Sequence, residues 1–267
     1  MSTKSDDSTV ATVSAVSNKQ FTVALTKDGS TNVELSSGNT VVTIPVTVTT
    51  PVPVKVLTHV TKDNFLDNFA LSGSATYDQN TGIVTITPDT GYTSGNFYLK
   101  NKIDMNTSFT LAGKVNLGSH PDGADGIGLA FHTGNTTDVG NGDIGVGGLQ
   151  NALGFKFDTY PNAFDSMPAP YGTFVDAGGD IDGTDQALSK SDIDGQLHDF
   201  TADYDGDTRT LTIKYTQTNG NVLTWTRTVL SSNQAMAMLV RASTGGSTNL
   251  QQFEMIRFDF AQALDIK

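Results

Sequence analysis

What most restricts this chain is a rhythm. Short runs with apolar side chains at alternate positions recur along almost its whole length, each closed by turn-forming residues, and helical spacing is nearly absent. Alternation of this kind puts one set of side chains on each face of a pleated strand. QFTVALT, TNVELS, TVVTIPVTVTT, GIVTITP, NFYLKNKI, SFTLAGKVNL, GIGLAFHT, ALGFKFDTY, YGTFVDA, HDFTADYD, TRTLTIKYT, NVLTWTRTVL, MAMLVRAS and FEMIRFDF all read as strands. They are rich in Val, Thr, Ile, Phe and Tyr, which suit a half-buried pleated surface. Asp78-Gln79-Asn80-Thr81-Gly82, Asp205-Gly206-Asp207 and Asn219-Gly220-Asn221 supply hairpin-type connections. About a dozen strands predict an all-β fold, an antiparallel β-sandwich of two sheets. The one helical spacing is KDNFLDNF, residues 62–69, which predicts a short helix.

With 267 residues, 37% of them hydrophobic, the chain can fill one large β domain and a smaller neighbour. Pro51 and Pro53 favour an extended strap over a central strand. Residues 1–56 are therefore expected to be an N-terminal β-rich extension or part of a neighbouring module, and residues 57–267 the main sandwich.

Charge narrows the partners. Sixteen Lys and Arg stand against 28 Asp and Glu, a net −12. A field of that sign repels nucleic acid and anionic lipid, whereas acidic loops can hold a hard cation such as calcium. The chain has no cysteine, which excludes disulfides, thiolate zinc sites and thiol catalysis. No apolar stretch approaches the ~20 residues of a membrane span, so no membrane insertion is expected. The first thirty residues carry no apolar core of an export signal. A Thr-, Asn-, Asp- and Gly-rich chain without cysteine suits a bacterial surface protein.

Three segments concentrate polar chemistry. In the first, GADGIGLAF, Asp125 stands between small residues at the mouth of a strand, placed to accept charge-assisted hydrogen bonds from hydroxyls. In the second, GGLQNALGFKFDTYPN, a strand runs into an oxygen-rich loop. Asp158, Asn162 and Asp165 offer side-chain oxygens and Tyr160 a backbone carbonyl, the mixed hard donors that calcium takes. An ordinary Asx-rich turn is the other reading of the same spacing. Gly147-Gly148 exposes backbone N–H groups to close approach. The third segment is RASTGGSTNL, residues 241–250.

Together, in this order, these segments resemble the L-type lectins, the family of the legume lectins and concanavalin A, including the versions carried by bacterial serine-rich surface adhesins. The resemblance covers roughly residues 60–260, and it rests on ADGIGLAF, GLQNALGFKFDTYPN and the closing FEMIRFDF. It implies a concanavalin-like jelly roll that binds glycans or glycoproteins on a host or neighbouring cell surface. It implies an extracellular location, displayed on a bacterial cell surface or wall as part of a larger protein. Asp125 matches the aspartate that grips sugar hydroxyls and follows a cis peptide, here Ala124–Asp125. Gly148 matches the glycine whose N–H touches the sugar. Asn162 matches the asparagine shared by calcium and sugar. Tyr160 matches the aromatic that gives calcium its carbonyl and the sugar a stacking face. Ser243, Thr244, Gly245 and Gly246 fall in the loop that tunes specificity. The implied metal ligands are Asp158, Tyr160, Asn162 and Asp165.

Departures from the pattern matter too. The family's second, transition-metal site needs a glutamate two residues before the shared aspartate. Lys156 stands there, and an ammonium repels a cation, so one calcium and no manganese is expected. The short spacing from Asn162 to Asp165 leaves Asp176 as a substitute for Asp165. Two other classes compete with a lectin. A glycoside hydrolase of this architecture would need two carboxylates across a cleft. Aligned on Asp158, its glutamate positions are Lys156 and Pro161, and the chain's only glutamates are Glu34 and Glu254. The remaining reading is a structural or protein-binding adhesin domain that keeps the fold without binding sugar.

Overall fold

The structure is a computed structural model that describes all residues except 18–19, 50–55, 164, 229–234 and 264–267. The proline-bearing strap therefore lies outside the described residues. The chain divides into two compact units, Met1–Val54 and Lys55–Lys267. The first carries β1 (Ser2–Ser5), β2 (Ala11–Val13), β3 (Val23–Leu25), β4 (Gly29–Ser37) and β5 (Thr40–Val48). Here β1, β4 and β5 form one antiparallel sheet and β2 pairs with β3. Its described core is small: Val10, Ala11 and Val33.

The second unit opens with β6 (Val56–Val60), a single 3-10 turn (Lys62–Asn64) and helix α1 (Phe65–Asn68), where the KDNFLDNF spacing lies. Thr61 and Asn64 close a reciprocal capping box on that turn. Then follow β7 (Phe69–Gly73), β8 (Thr76–Asp78), β9 (Ile83–Thr87), β10 (Ser94–Leu99), β11 (Phe109–Asn116) and β12 (Gly126–His132). After these come β13 (Leu153–Asp158), β14 (Tyr171–Asp176), β15 (Gly179–Asp180) and β16 (Gln186–Ala187). The chain closes with β17 (His198–Asp205), β18 (Thr210–Thr216), β19 (Val222–Thr228), β20 (Ala237–Ser243) and β21 (Gln251–Gln262).

These strands make two antiparallel sheets. One runs β15-β14-β13-β12-β20-β10-β7 with β16 added on β14, and the other runs β19-β18-β17-β11-β21-β9-β8 with β6 added on β21. Alternate residues of each sheet meet in the shared core. Phe157 packs on Phe200 and Tyr215, Phe155 on Trp225, and Phe97 on Phe253, at ring separations of 4.9 to 5.9 Å. Trp225 is buried, and its indole N–H donates to the Gly172 carbonyl of the opposite sheet at 3.0 Å.

The outer face of the first sheet is covered as well. Ala130, Val175 and Leu239 pack there under Val146, Leu149 and Ala152 of the β12–β13 connection. Pairing aligns two further rows on this face. One is Ser243–Gly126–Asp158–Tyr171 and the next is Arg241–Gly128–Lys156–Thr173. The sequence segments singled out above converge on these rows.

Candidate functional site

A cleft of about 210 Å³ opens over the two rows. Asp125, Ser243 and Asn162 line one part of it, and the Asn141–Gly145 loop lines another, with Lys156, Asp158 and Arg241 between.

Asp125 is fixed from several directions. The Ala124–Asp125 peptide is cis, as the resemblance implies. The Asp125 N–H donates to the Ser243 carbonyl at 2.8 Å, and its own carbonyl accepts from Thr159 N–H at 3.0 Å. Ser243 Oγ donates to Asp125 Oδ2 at 2.7 Å. Behind it, Thr159 Oγ1 donates to the Gly123 carbonyl at 3.0 Å and Gln251 Nε2 to the Ala124 carbonyl at 3.0 Å. The fully buried Asn249 receives the N–H groups of Ser119 and His120 at 3.0 and 2.9 Å. It also returns a bond to the His120 carbonyl at 3.0 Å. A carboxylate held this way presents its remaining oxygen to the cleft without reorganising.

The expected metal ligands lie together at the end of β13. Asp158 is 5% exposed, and its Oδ1 accepts from Tyr160 N–H at 3.2 Å. Asn162 Nδ2 donates to the Tyr160 carbonyl at 3.2 Å, and Asn162 N–H donates to Asp165 Oδ2. Asp165 Oδ1 is buried without a hydrogen-bond partner among the described residues. Burial pushes the Asp158 carboxyl up to about 6, with Lys156 opposing and the negative charge of Asp165 adding to the rise. The unpartnered Asp165 oxygen and the Asp158 carboxylate, together with a carbonyl and an amide, fit a hard cation such as calcium. Among the described residues no group of three or more His, Asp or Glu side chains is arranged for a metal ion. The set proposed from the sequence has only two carboxylates.

Lys156 is 3% exposed and takes three carboxylates: Asp180 at 2.8 Å, Asp158 at 3.1 Å and Asp143 at 3.4 Å. Its ammonium also lies 5.4 Å over the Tyr171 ring. Burial alone would lower this lysine, but Asp180, Asp158 and Tyr171 outweigh burial and hold it well above the usual range.

Some sequence expectations move. Asp176 cannot replace Asp165. The register pairs Asp158 with Tyr171 but Leu153 with Asp176, so Asp176 sits at the far end of β14, five residues or about 17 Å along the strand. Gly148 has φ 81, but its N–H donates to the Ala177 carbonyl at 3.1 Å, which leaves none for a ligand. Thr244 is 6% exposed, and its hydroxyl donates to the Thr90 carbonyl at 2.7 Å while accepting Thr93 N–H at 3.0 Å. It fastens the loop. Gly245 and Gly246 stay at the surface, and the Gly245 carbonyl accepts Tyr92 N–H at 3.1 Å. Sequence reasoning missed Arg241, Asn141, Asp143 and Ile144. Arg241 sits at the start of a segment already singled out, whereas nothing local marked the others.

Comparison with known proteins places this geometry. A family model described as the legume lectin beta-barrel domain matches residues 60–257. The chain belongs to the legume lectin family. The "Serine-rich adhesin for platelets" of Staphylococcus aureus (strain USA300) is 37% identical over 251 residues, 80% of this chain but only 11% of that protein. The fold matches a lectin from Bauhinia forficata solved with GalNAc at TM-score 0.61 and 13% identity, covering 79% of this chain and 99% of that one. It also matches the VIP36 exoplasmic/lumenal domain in its Ca2+/Man3GlcNAc-bound form, at TM-score 0.60 and 15% identity, over 78% and 90% of the two chains. This lectin domain is a binding module and not an enzyme. The cleft accordingly holds no glutamate: Glu34 lies in the first unit and Glu254 on the second sheet.

Proposed function

We propose that this domain recognises glycans through a calcium-dependent site and serves as a module of a larger cell-surface adhesin that binds host or neighbouring cells. The observation that carries the reading is the convergence of Asp125, Asn162 and Ser243, from three separate segments, on one open cleft beside the two-carboxylate set. Asp158, Tyr160 through its carbonyl, Asn162 and Asp165 would hold the ion. Bound there, calcium supplies a positive centre that fixes the acceptors of this loop. Asp125 then accepts hydroxyl hydrogen bonds through its remaining oxygen, and Asn162 borders the same sugar, with Gly245 and the exposed Gly246 in the neighbouring loop. Solvent-open geometry makes single-site affinity weak, so adhesion draws on many copies at a surface.

The relatives' own names support the reading. The staphylococcal protein is called an adhesin for platelets, and the VIP36 domain was solved with calcium and a mannose-containing glycan. Transition metal is not expected, because Lys156 fills the position beside Asp158. Asp125→Asn tests the assignment. The variant is expected to fold, to bind one calcium by calorimetry, and to lose glycan binding. Undiminished glycan binding by this variant would contradict the role given to Asp125.

A further inference from the structure

The Asn141–Gly145 rim of the cleft takes a costly backbone. Three successive residues are left-handed, with φ 46 at Asp143, 49 at Ile144 and 94 at Gly145. For a β-branched residue such as Ile144 this region is an outlier, and such a conformation persists only where its surroundings impose it.

Two basic side chains supply the constraint. In the row Arg241–Gly128–Lys156, the central glycine leaves the sheet bare. Ile144 sits directly on it, since a Cβ on Gly128 would stand 2.4 Å from the Ile144 carbonyl oxygen. On one flank Lys156 reaches Asp143 at 3.4 Å while also holding Asp180 of β15 and Asp158 of β13. On the other flank Arg241 Nη1 donates to the Gly140 carbonyl at 3.0 Å. The Arg241 stem is pressed on Gly145, where a Cβ would come within 2.5 Å of its Cδ. Within the loop, Gly140 N–H donates to the Gly145 carbonyl and Asn141 N–H to the Gly147 carbonyl, both at 3.1 Å. The rim is thus one hydrogen-bonded unit seated between two cations.

We propose that Lys156 and Arg241 are positioning residues, a pair of internal cations that clamps the Asn141–Gly145 rim onto the glycine of β12. This half of the cleft therefore keeps its shape with or without calcium. The calcium-facing half, from Asp158 to Asp165, meets the clamp at Lys156, which also pairs with Asp158. The consequence for ligand rests on reading the cleft as a glycan site, but the clamp does not.

Hydrogen exchange on the full chain separates the two. Amides of residues 140–147 are expected to show the same protection in calcium and in excess chelator. In Lys156→Met their exchange should rise by about tenfold or more while β11 and β17 stay protected, because breaking a buried ion pair strands its partners. Should that variant fail to fold, Asp143→Asn decides. Asn tolerates the left-handed geometry as Asp does, and it removes only the loop's charge. A smaller rise confined to 140–147 is expected. Unchanged exchange there in Asp143→Asn, or loss of wild-type protection on chelation, would overturn the clamp. Neither readout uses a sugar, so failure to find a glycan leaves the test intact.

Discussion

Asp125 owes its place to neighbours that never reach the cleft. Thr159, Gln251 and Asn249 hold the backbone around it, so the carboxylate is aimed before a ligand arrives. His132 shows the opposite condition. It ends β12 with no exposure, and both ring nitrogens lack hydrogen-bond partners among the described residues. Burial lowers its affinity for a proton, against the pull of Asp138. The folded chain thus favours the neutral ring, while the unfolded chain takes up a proton below about 6.5. The stability this gives is present above that pH and is lost as pH falls towards the lowered folded value. Thermal melts from pH 7.5 to 5 should show a steeper loss for the native sequence than for His132→Leu. Equal slopes would mean the ring finds a partner when charged.

At the scale of elements, strands and hairpin turns were legible because alternation and Asx-Gly chemistry are local. Ile83–Thr87, Thr210–Thr216 and Val222–Thr228 all follow the connections read from sequence. The residues of GADGIGLAF and FKFDTYPN were legible too, since each motif is contiguous. What remained hidden depends on register. Asp143, Lys156 and Arg241 line one cleft only because β12 pairs with β13 on one side and β20 on the other, and no local pattern announces that. The same logic explains why Asp176 looked suitable. Its sequence distance from Asp158 is modest, but the antiparallel register carries it to the far end of the neighbouring strand. Cross-sheet contacts were equally invisible. Trp225 joins β19 to β14 through its indole N–H. Trp225→Phe removes that buried donor from the Gly172 carbonyl. It should lower unfolding free energy by about 1–3 kcal/mol in chemical denaturation followed by circular dichroism. A change below about 0.5 kcal/mol would show that the bond contributes little.

For the molecule as a whole, a net −12, an adhesin relative and an open cleft fit together. The chain spans 11% of the length of the S. aureus (USA300) relative it matches. Among the described residues no helix is long and apolar enough to cross a membrane. Calcium-dependent glycan recognition is tested most directly by a glycan array probed with this chain in calcium and again in excess chelator. Binding to one defined class of glycan that disappears on chelation is the result this account requires. Silence in both conditions from a protein shown to be folded, or glycan binding indifferent to the chelator, would contradict it.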